Sequence, residues 1–294
     1  MTLRSLLFVP GDSEKKMLKS QGSPADAVIL DLEDAVTHER LPAARSLVRE
    51  YLLSRRDRSA QQLWVRINPL STPRALPDLA AIVAGAPDGI MLPKAESAAD
   101  CNLLDHYLTA LEHREGLVPG AIRLLPVAPE TPRAVLTLDN WSGATARLLG
   151  LTWGGEDIAA AIGATTNRLP DGEYDFTYRM ARSLCLVAAH AAGLEAIDTL
   201  TLNFRDPEGL RRDVERARRE GFTGKIAIHP DQVAIINEGF TPAAADIAHA
   251  ERVVAAFAAG SAGVVQLDGR MLDRPHLTQA ERILAAASLA RRSR

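Results

Sequence analysis

Eight short apolar runs, spaced along most of the chain and separated by amphipathic stretches, constrain this sequence more than any other feature. They predict strands over residues 3–9, 27–32, 63–67, 89–92, 122–127, 148–153, 196–202 and 225–228. Helical patterns lie between them, among them residues 40–53, 97–112, 178–192 and 208–220, with Pro, Gly, Asp and Asn at the joints. Strands this uniformly apolar are buried on both faces, as in parallel sheets. Right-handed crossovers repeated eight times close such a sheet into a barrel. The expected fold is therefore α/β, a (β/α)8 TIM-like barrel with a C-terminal helical lid or arm. A doubly wound open sheet is the competing arrangement, but no GxGxxG follows an early strand to support it.

A barrel of this kind uses about 250 residues as one domain, and the chain has 294. Residues 1–240 are expected to form the catalytic barrel and 241–294 a helical extension. In that extension a helix over 241–260 is entered through Pro242, residues 264–275 read as a loop rich in Gly and Asp, and a terminal helix spans 277–291. A hydrophobic fraction of 47% supplies a sizeable core. The formal net charge of −3 lacks the basic excess that nucleic acid demands. The apolar run at Met1–Gly11 is too short for a signal segment, and no apolar stretch of about 18 residues follows. The expectation is a cytoplasmic protein without nucleic-acid or membrane partners. Its two cysteines, Cys101 and Cys185, fall within helical patterns without CxxC spacing and read as packing residues.

In a barrel the functional groups sit just after the strands, so the strand ends form one surface. Here they are polar: Pro10-Gly11, Asp31 with Glu33 and Asp34, Arg66 and Asn68, Pro93-Lys94, Glu130, Gly154-Gly155-Glu156-Asp157, and His229-Pro230. Converging carboxylates repel one another, and a hard divalent cation resolves the repulsion; oxygen donors without Cys or clustered His favour Mg2+. Glu130 and Asp157 are the expected direct ligands, because Mg2+ takes one or two protein carboxylates and fills its octahedron with water and substrate. Each carboxylate also precedes a helix, so an N-cap is the plain alternative. For Glu33 and Asp34, capping and hydrogen bonding to the metal's waters stand level.

Arg66 needs an anionic partner, either a substrate oxygen or a structural carboxylate. Lys15 and Lys19, four apart, share one face of the first helix and either grip phosphates or form a solvated basic face. His229 reads as a base or, more simply, as a loop-shaping residue. The amides of Gly154-Gly155 either meet a substrate carboxylate or make a turn.

Taken together, several of these motifs resemble the citrate lyase beta subunit-like family of the HpcH/HpaI aldolase superfamily. They are Arg4-Ser5-Leu6-Leu7-Phe8-Val9-Pro10-Gly11, Asp31-Leu32-Glu33-Asp34-Ala35-Val36, Val65-Arg66-Ile67-Asn68, Leu92-Pro93-Lys94, Glu130-Thr131, Gly154-Gly155-Glu156-Asp157, Gly224-Lys225-Ile226-Ala227-Ile228-His229-Pro230 and Asp268-Gly269-Arg270-Met271-Leu272-Asp273-Arg274-Pro275. Its relatives include malyl-CoA, β-methylmalyl-CoA and citramalyl-CoA lyases.

The resemblance covers nearly the whole chain. It implies a Mg2+-dependent carbon–carbon lyase, with Mn2+ as substitute, that cleaves a short 3-hydroxyacyl-CoA to acetyl-CoA or propionyl-CoA plus a 2-oxo acid. It also implies a homotrimer or hexamer. Arg66 would contact substrate oxygens together with Glu130, Gly155 and Asp157, and Glu130 and Asp157 would hold the metal. Lys15, Lys19, Pro10 and Gly11 would contact CoA. Asp273 would be carried by the tail over a neighbouring subunit's mouth as an acid–base group. A citrate lyase beta subunit acting on a citryl thioester, and a non-catalytic CoA-binding relative, are the alternatives. The chain departs from the commonest pattern at Phe8, where Tyr is frequent, and at Pro129 and Pro132 beside Glu130-Thr131.

Overall fold

A computed structural model describes residues 3–139, 141–259 and 263–292, the last without the side chains of 289–292. Gly260, the expected end of the helix over 241–260, lies outside the described residues. Eight parallel strands form the centre: β1 (Ser5–Pro10), β2 (Ala27–Asp31), β3 (Gln62–Arg66), β4 (Gly89–Leu92), β5 (Arg123–Pro126), β6 (Gly150–Leu151), β7 (Glu195–Asp198) and β8 (Gly224–Ala227). Their order is β5-β4-β3-β2-β1-β8-β7-β6. The two ends of that sheet meet through parallel bridges at Leu124–Leu148 and Val127–Thr152. The backbone N–H of Ala128 donates to the carbonyl of Thr152 at 2.7 Å across this seam, so the sheet curls into a barrel rather than lying open. All eight expected strands appear at the expected places.

Alternation along each strand then sorts the side chains. Leu6, Ala27, Ile29, Trp64, Met91, Leu125, Val127, Ile197 and Ile226 pack together inside the barrel. Their neighbours Leu7, Val28, Leu30, Val65, Ile90 and Leu124 face the surrounding helices. Trp64 fills much of the interior, and this explains Gly89 beside it: a Cβ there would lie 2.3 to 2.5 Å from the indole ring. Register aligns the upper rim. Pro10 pairs with Asp31, and Asp31 pairs with Arg66. Both Asp31 and Arg66 are last in their strands, with the same parity as the inward-facing residues below them.

The helices that follow the strands are α1 (Glu14–Ser20), α2 (Leu41–Ser54), α3 (Ala75–Ile82), α4 (Ala98–Glu115), α5 (Pro132–Leu136), α6 (Gly155–Ile162), α7 (Phe176–Ala191), α8 (Pro207–Glu220) and α9 (Pro230–Phe240), of which α1, α5, α6 and α9 matter for the mouth. Cys101 and Cys185 are buried in α4 and α7, and burial pushes both thiols up, away from reactivity.

Beyond α9 come α10 (Ala244–Ala259), β9 (Val264–Leu267), β10 (Arg270–Asp273) and α11 (Arg274–Arg292). Residues 264–275 are thus not the expected loop. β9 and β10 pair antiparallel, with Leu267 opposite Arg270. The turn between them, Asp268-Gly269, has φ of 49° and 75°. Positive φ at both central residues is what a two-residue hairpin turn requires, and Asp-Gly supplies it with least strain. Ala250, Val253, Leu272 and Ala280 form a small buried cluster that joins the hairpin to α10 and α11. No helix among the described residues is long and apolar enough to cross a membrane.

One buried ionic cluster outside the mouth ties the closing strands together. Asp198, at the end of β7, accepts from Trp153 Nε1 at 2.8 Å and Arg182 Nε at 3.0 Å. Lys225 Nζ lies 3.4 Å away, on the adjacent strand. Burial alone would raise this carboxyl, but the charges of Lys225 and Arg182 win and hold it down at about 2. A depressed carboxyl contributes stability above its ordinary pKa near 3.8 and loses it as pH falls towards 2. Asp198→Asn leaves two cations poorly matched and should destabilise the fold at pH 7 by about 3 to 5 kcal/mol. It should also lose less stability than wild type between pH 4 and 2, as read by urea melts. Equal stability of variant and wild type at pH 7 would show that the cluster is dispensable.

Candidate active site

A short proline-led helix, α5, sets the stage for the central carboxylate. Thr131 Oγ1 accepts the N–H of Ala134 and so caps α5. Glu130, one residue earlier, is thereby released from capping and is only 3% exposed at the barrel's upper end. Its Oε2 accepts the backbone N–H of Lys94 at 2.6 Å. Gly154 stands directly against it, where a Cβ would come within 3.0 Å of Glu130 Oε1. The glycine therefore makes room for the carboxylate. Burial raises the Glu130 carboxyl well above the usual range, and the charge of Asp157 raises it further.

Asp157 lies in the first turn of α6, where the helix dipole favours an anion, while Gly154 occupies the cap position. Its Oδ1 is 3.0 Å from Lys94 Nζ. The N-cap alternative is thus realised for neither Glu130 nor Asp157. Both line one cavity of about 640 Å3 at the mouth, together with Arg66, Asp31, Phe8 and His229.

The Asp31-Leu32-Glu33-Asp34 run divides its labour. Asp31 Oδ1 and Oδ2 accept the backbone N–H groups of Glu33 and Ala35, at 3.0 and 3.1 Å. The same two oxygens receive Arg66 Nε and Nη2, each at 2.7 Å. Asp31, rather than Glu33 or Asp34, holds this turn. Arg66 accordingly has the structural carboxylate partner and also faces the cavity. Its guanidinium lies over the Phe8 ring, 4.6 Å from the centroid. Burial opposes the charge on Arg66, but the Asp31 hydrogen bonds hold its pKa above the ordinary value.

Glu33 is buried, with Oε1 accepting from Lys94 Nζ at 2.7 Å. Its Oε2 lies 3.0 Å from Arg66 Nη1 but out of line for a hydrogen bond, and among the described residues no other group donates to it. Burial pushes the Glu33 carboxyl up to about 7, although Arg66 and Lys94 pull the other way. Asp34 is mostly exposed, 3.4 Å from Arg66 Nη1 at the cavity's edge.

Lys94 went unassigned in the sequence, where Pro93-Lys94 marks only a strand end. The structure places it between the carboxylates, with its backbone in the left-handed region at φ 52°. An L side chain there is strained by roughly 1 to 2 kcal/mol, and the short hydrogen bond to Glu130 holds it. Desolvation would lower its pKa, yet the charge of Glu130 and the bond to Glu33 raise it above the ordinary lysine value.

Lys19 lines the cavity from α1, but its companion there is Lys16. Lys15 is exposed and does not line it. Pro10 and Gly155 line the cavity. Gly11 is instead buried against β2, where a Cβ would fall 2.5 Å from the Asp31 carbonyl. His229 caps α9, accepting the N–H of Asp231 at 3.3 Å, and stacks on Phe204 with centroids 4.6 Å apart. Asp273 ends β10, over half exposed, with Oδ1 2.5 Å from His276 Nδ1. It does not line its own chain's mouth cavity.

Among the described residues no three Asp, Glu, His or Cys side chains surround one point closely enough to cage a metal. The charges nonetheless favour a divalent cation. Among the described residues four carboxyls, Asp31, Glu33, Glu130 and Asp157, face two cations, Arg66 and Lys94, and the raised Glu130 carboxyl marks a place where a further cation would favour the charged form. The donor atoms are all oxygen, and one of them, Glu33 Oε2, is buried without a hydrogen bond. Two carboxylates beside open space suit Mg2+, which keeps several water or substrate ligands.

Residues 4–230 match the sequence profile of the HpcH/HpaI aldolase/citrate lyase family. The chain belongs to that family. It is 35% identical over 289 residues to the citrate lyase subunit beta of Leuconostoc mesenteroides subsp. cremoris, covering 97% of this chain and 93% of that protein. It is 36% identical over 289 residues to a (3S)-malyl-CoA thioesterase of Cereibacter sphaeroides (strain ATCC 17029 / ATH 2.4.9), covering 97% and 94%. The crystal structure of CitE from Mycobacterium tuberculosis in complex with magnesium, acetoacetate and coenzyme A superposes with a TM-score of 0.79 at 34% identity, covering 98% of each chain. The barrel is thus the family's barrel.

The raised Glu33 carboxyl has a definite sign in stability. Between its ordinary pKa of 4.5 and about 7, the folded protein holds a proton that the unfolded chain releases. Stability therefore falls as pH rises across that window. In EDTA, the thermal midpoint of wild type should drop between pH 5 and 8, and Glu33→Gln should flatten the drop. The same slope in both proteins would mean that Glu33 titrates normally.

Proposed function

We propose that this chain is a cytoplasmic, Mg2+-dependent carbon–carbon lyase acting on a short 3-hydroxyacyl-CoA: malyl-CoA, β-methylmalyl-CoA or citramalyl-CoA. The products would be acetyl-CoA or propionyl-CoA and a 2-oxo acid. The observation that carries this reading is the meeting of Glu130 and Asp157 in one cavity with Arg66 and a rim of lysines. The magnesium, acetoacetate and coenzyme A bound by the structurally similar CitE support it.

In this reading residues 1–240 supply the catalytic barrel and 241–294 an arm. Glu130 and Asp157 hold the metal, with Mn2+ as substitute, while Glu33 and Asp34 bind its waters. Bound there, Mg2+ supplies a Lewis acid for an oxygen that gains negative charge as the carbon–carbon bond breaks. Arg66, fixed on two sides by Asp31, presents its remaining N–H groups to the substrate carboxylate and stabilises charge without reorganising. Gly155, at the first turn of α6, offers an open amide to the same carboxylate. Lys16 and Lys19 at the rim suit the CoA phosphates, next to Pro10.

Cleavage removes the proton of the 3-hydroxyl, breaks the bond between carbons 2 and 3, and leaves the electron pair on the thioester as an enolate. A proton delivered to that enolate completes the reaction. Asp273 is assigned this exchange across a subunit boundary in a homotrimer or hexamer, since its hairpin stands apart from its own mouth cavity.

Two relatives define the rival readings. A citrate lyase beta subunit would act on a citryl thioester held by a carrier protein, and a thioesterase would release free CoA and malate. Purified protein alone, given malyl-CoA, β-methylmalyl-CoA and citramalyl-CoA in turn, separates them: a 2-oxo acid trapped as its hydrazone marks the lyase, and a free thiol marks hydrolysis. EDTA should abolish turnover and Mg2+ restore it. Glu130→Ala and Asp157→Ala should each lower kcat more than about 100-fold with an unchanged circular dichroism spectrum. Full activity in either variant would end the assignment.

A further inference from the structure

Lys94 touches three of the four carboxylates of the inner mouth. Its Nζ lies 2.7 Å from Glu33 Oε1 and 3.0 Å from Asp157 Oδ1, and its N–H donates to Glu130 Oε2 at 2.6 Å. Among the described residues it is the one cation within ion-pair distance of Asp157. We propose that Lys94 is a positioning residue that stands in for the divalent cation: its ammonium bridges Glu33 and Asp157 in the metal-free protein and withdraws from Asp157 as the metal binds. The inference rests on the metal reading given above.

Three features argue for it. Buried carboxylates repel strongly where water screens poorly, so a site that awaits a cation needs another positive charge meanwhile. An ammonium and a magnesium ion cannot both use Asp157 Oδ1 without repelling each other, so one must yield. Lysine is suited to yielding, because it is a point charge on a flexible stem, whereas an arginine fork is held by its geometry. The contrast with Arg66 is direct, since two of its nitrogens are fixed on Asp31. The Lys94 side chain is 30% exposed and so has open space to move into. Its backbone stays where it is, pinned by the bond to Glu130, and Glu33 remains available as its partner. The movement required is a swing from two carboxylates to one.

Competition of this kind makes metal binding weaker than the carboxylates alone would allow, and it makes the metal-free fold more stable. The full chain carrying Lys94→Met, and a second variant Lys94→Arg, test both halves. Mn2+ affinity is read by electron paramagnetic resonance, and the thermal midpoint is measured in EDTA. Lys94→Met should melt below wild type in EDTA and bind Mn2+ tighter by on the order of tenfold. Lys94→Arg, which keeps the charge, should restore the EDTA midpoint and keep wild-type affinity within about threefold.

A merely structural lysine would weaken metal binding when lost, the opposite sign. Mn2+ affinity in Lys94→Met equal to or weaker than wild type overturns the inference while leaving the metal site standing. Failure of all three proteins to bind Mn2+ overturns the metal reading and the inference with it. Should Lys94→Met not fold, Lys94→Gln carries the same expectation and the same overturning result.

Discussion

Alternation of opposite charges at the barrel mouth is the constraint on which this structure depends. Asp31, Arg66, Glu33, Lys94 and Asp157 follow one another at ion-pair distance, each anion against a cation. Such a chain is possible because parallel register places Asp31 beside Arg66 without adjustment. The remainder comes from beyond the strand ends: Glu33 from the segment after β2, Lys94 from the one after β4, and Asp157 from the first turn of α6. In a low-dielectric cleft no member can be removed alone without leaving its neighbour unmatched. The surplus of acid over base is then the physical reason why the site has use for a divalent ion.

The strands were legible because burial on both faces demands uninterrupted apolar runs, and few other structures produce eight of them at this spacing. The carboxylates were legible for a related reason: polar residues at the ends of such runs have nowhere to go but the mouth. What escaped was geometry finer than one residue. Nothing in Pro93-Lys94 distinguishes a surface lysine from one turned inward by a left-handed backbone. Lys15 and Lys16 stand four and three residues before Lys19, so both spacings share its face and only the helix's orientation on the barrel selects Lys16. The Asp-Gly pair at 268–269 did carry a hairpin signal, flanked by Val265, Leu267 and Leu272, but the density of Gly and Asp around it reads equally as loop.

The capping alternatives show how the residues themselves settle a competition that spacing leaves open. Thr131 and Gly154 take the cap positions of α5 and α6, and Asp31 holds the turn after β2. Glu130, Asp157 and Glu33 are left with no backbone task at their own helix starts. Carboxylates freed in this way and then buried are energetically costly, and such costs gather where chemistry is done.

Beneath this charged layer the barrel is solid. Trp64 fills the centre so fully that its neighbour Gly89 can carry no side chain at all, and Leu6, Ile29 and Leu125 complete the plug. Among the described residues the cleft is therefore closed at its base. A molecule whose reacting end lies against Arg66 must go in head first, with its bulky tail trailing past Lys19. On the proposed lyase reading, a small fragment cut from the inner end would be corked behind the larger one, and the order of departure would follow from the shape of the vessel.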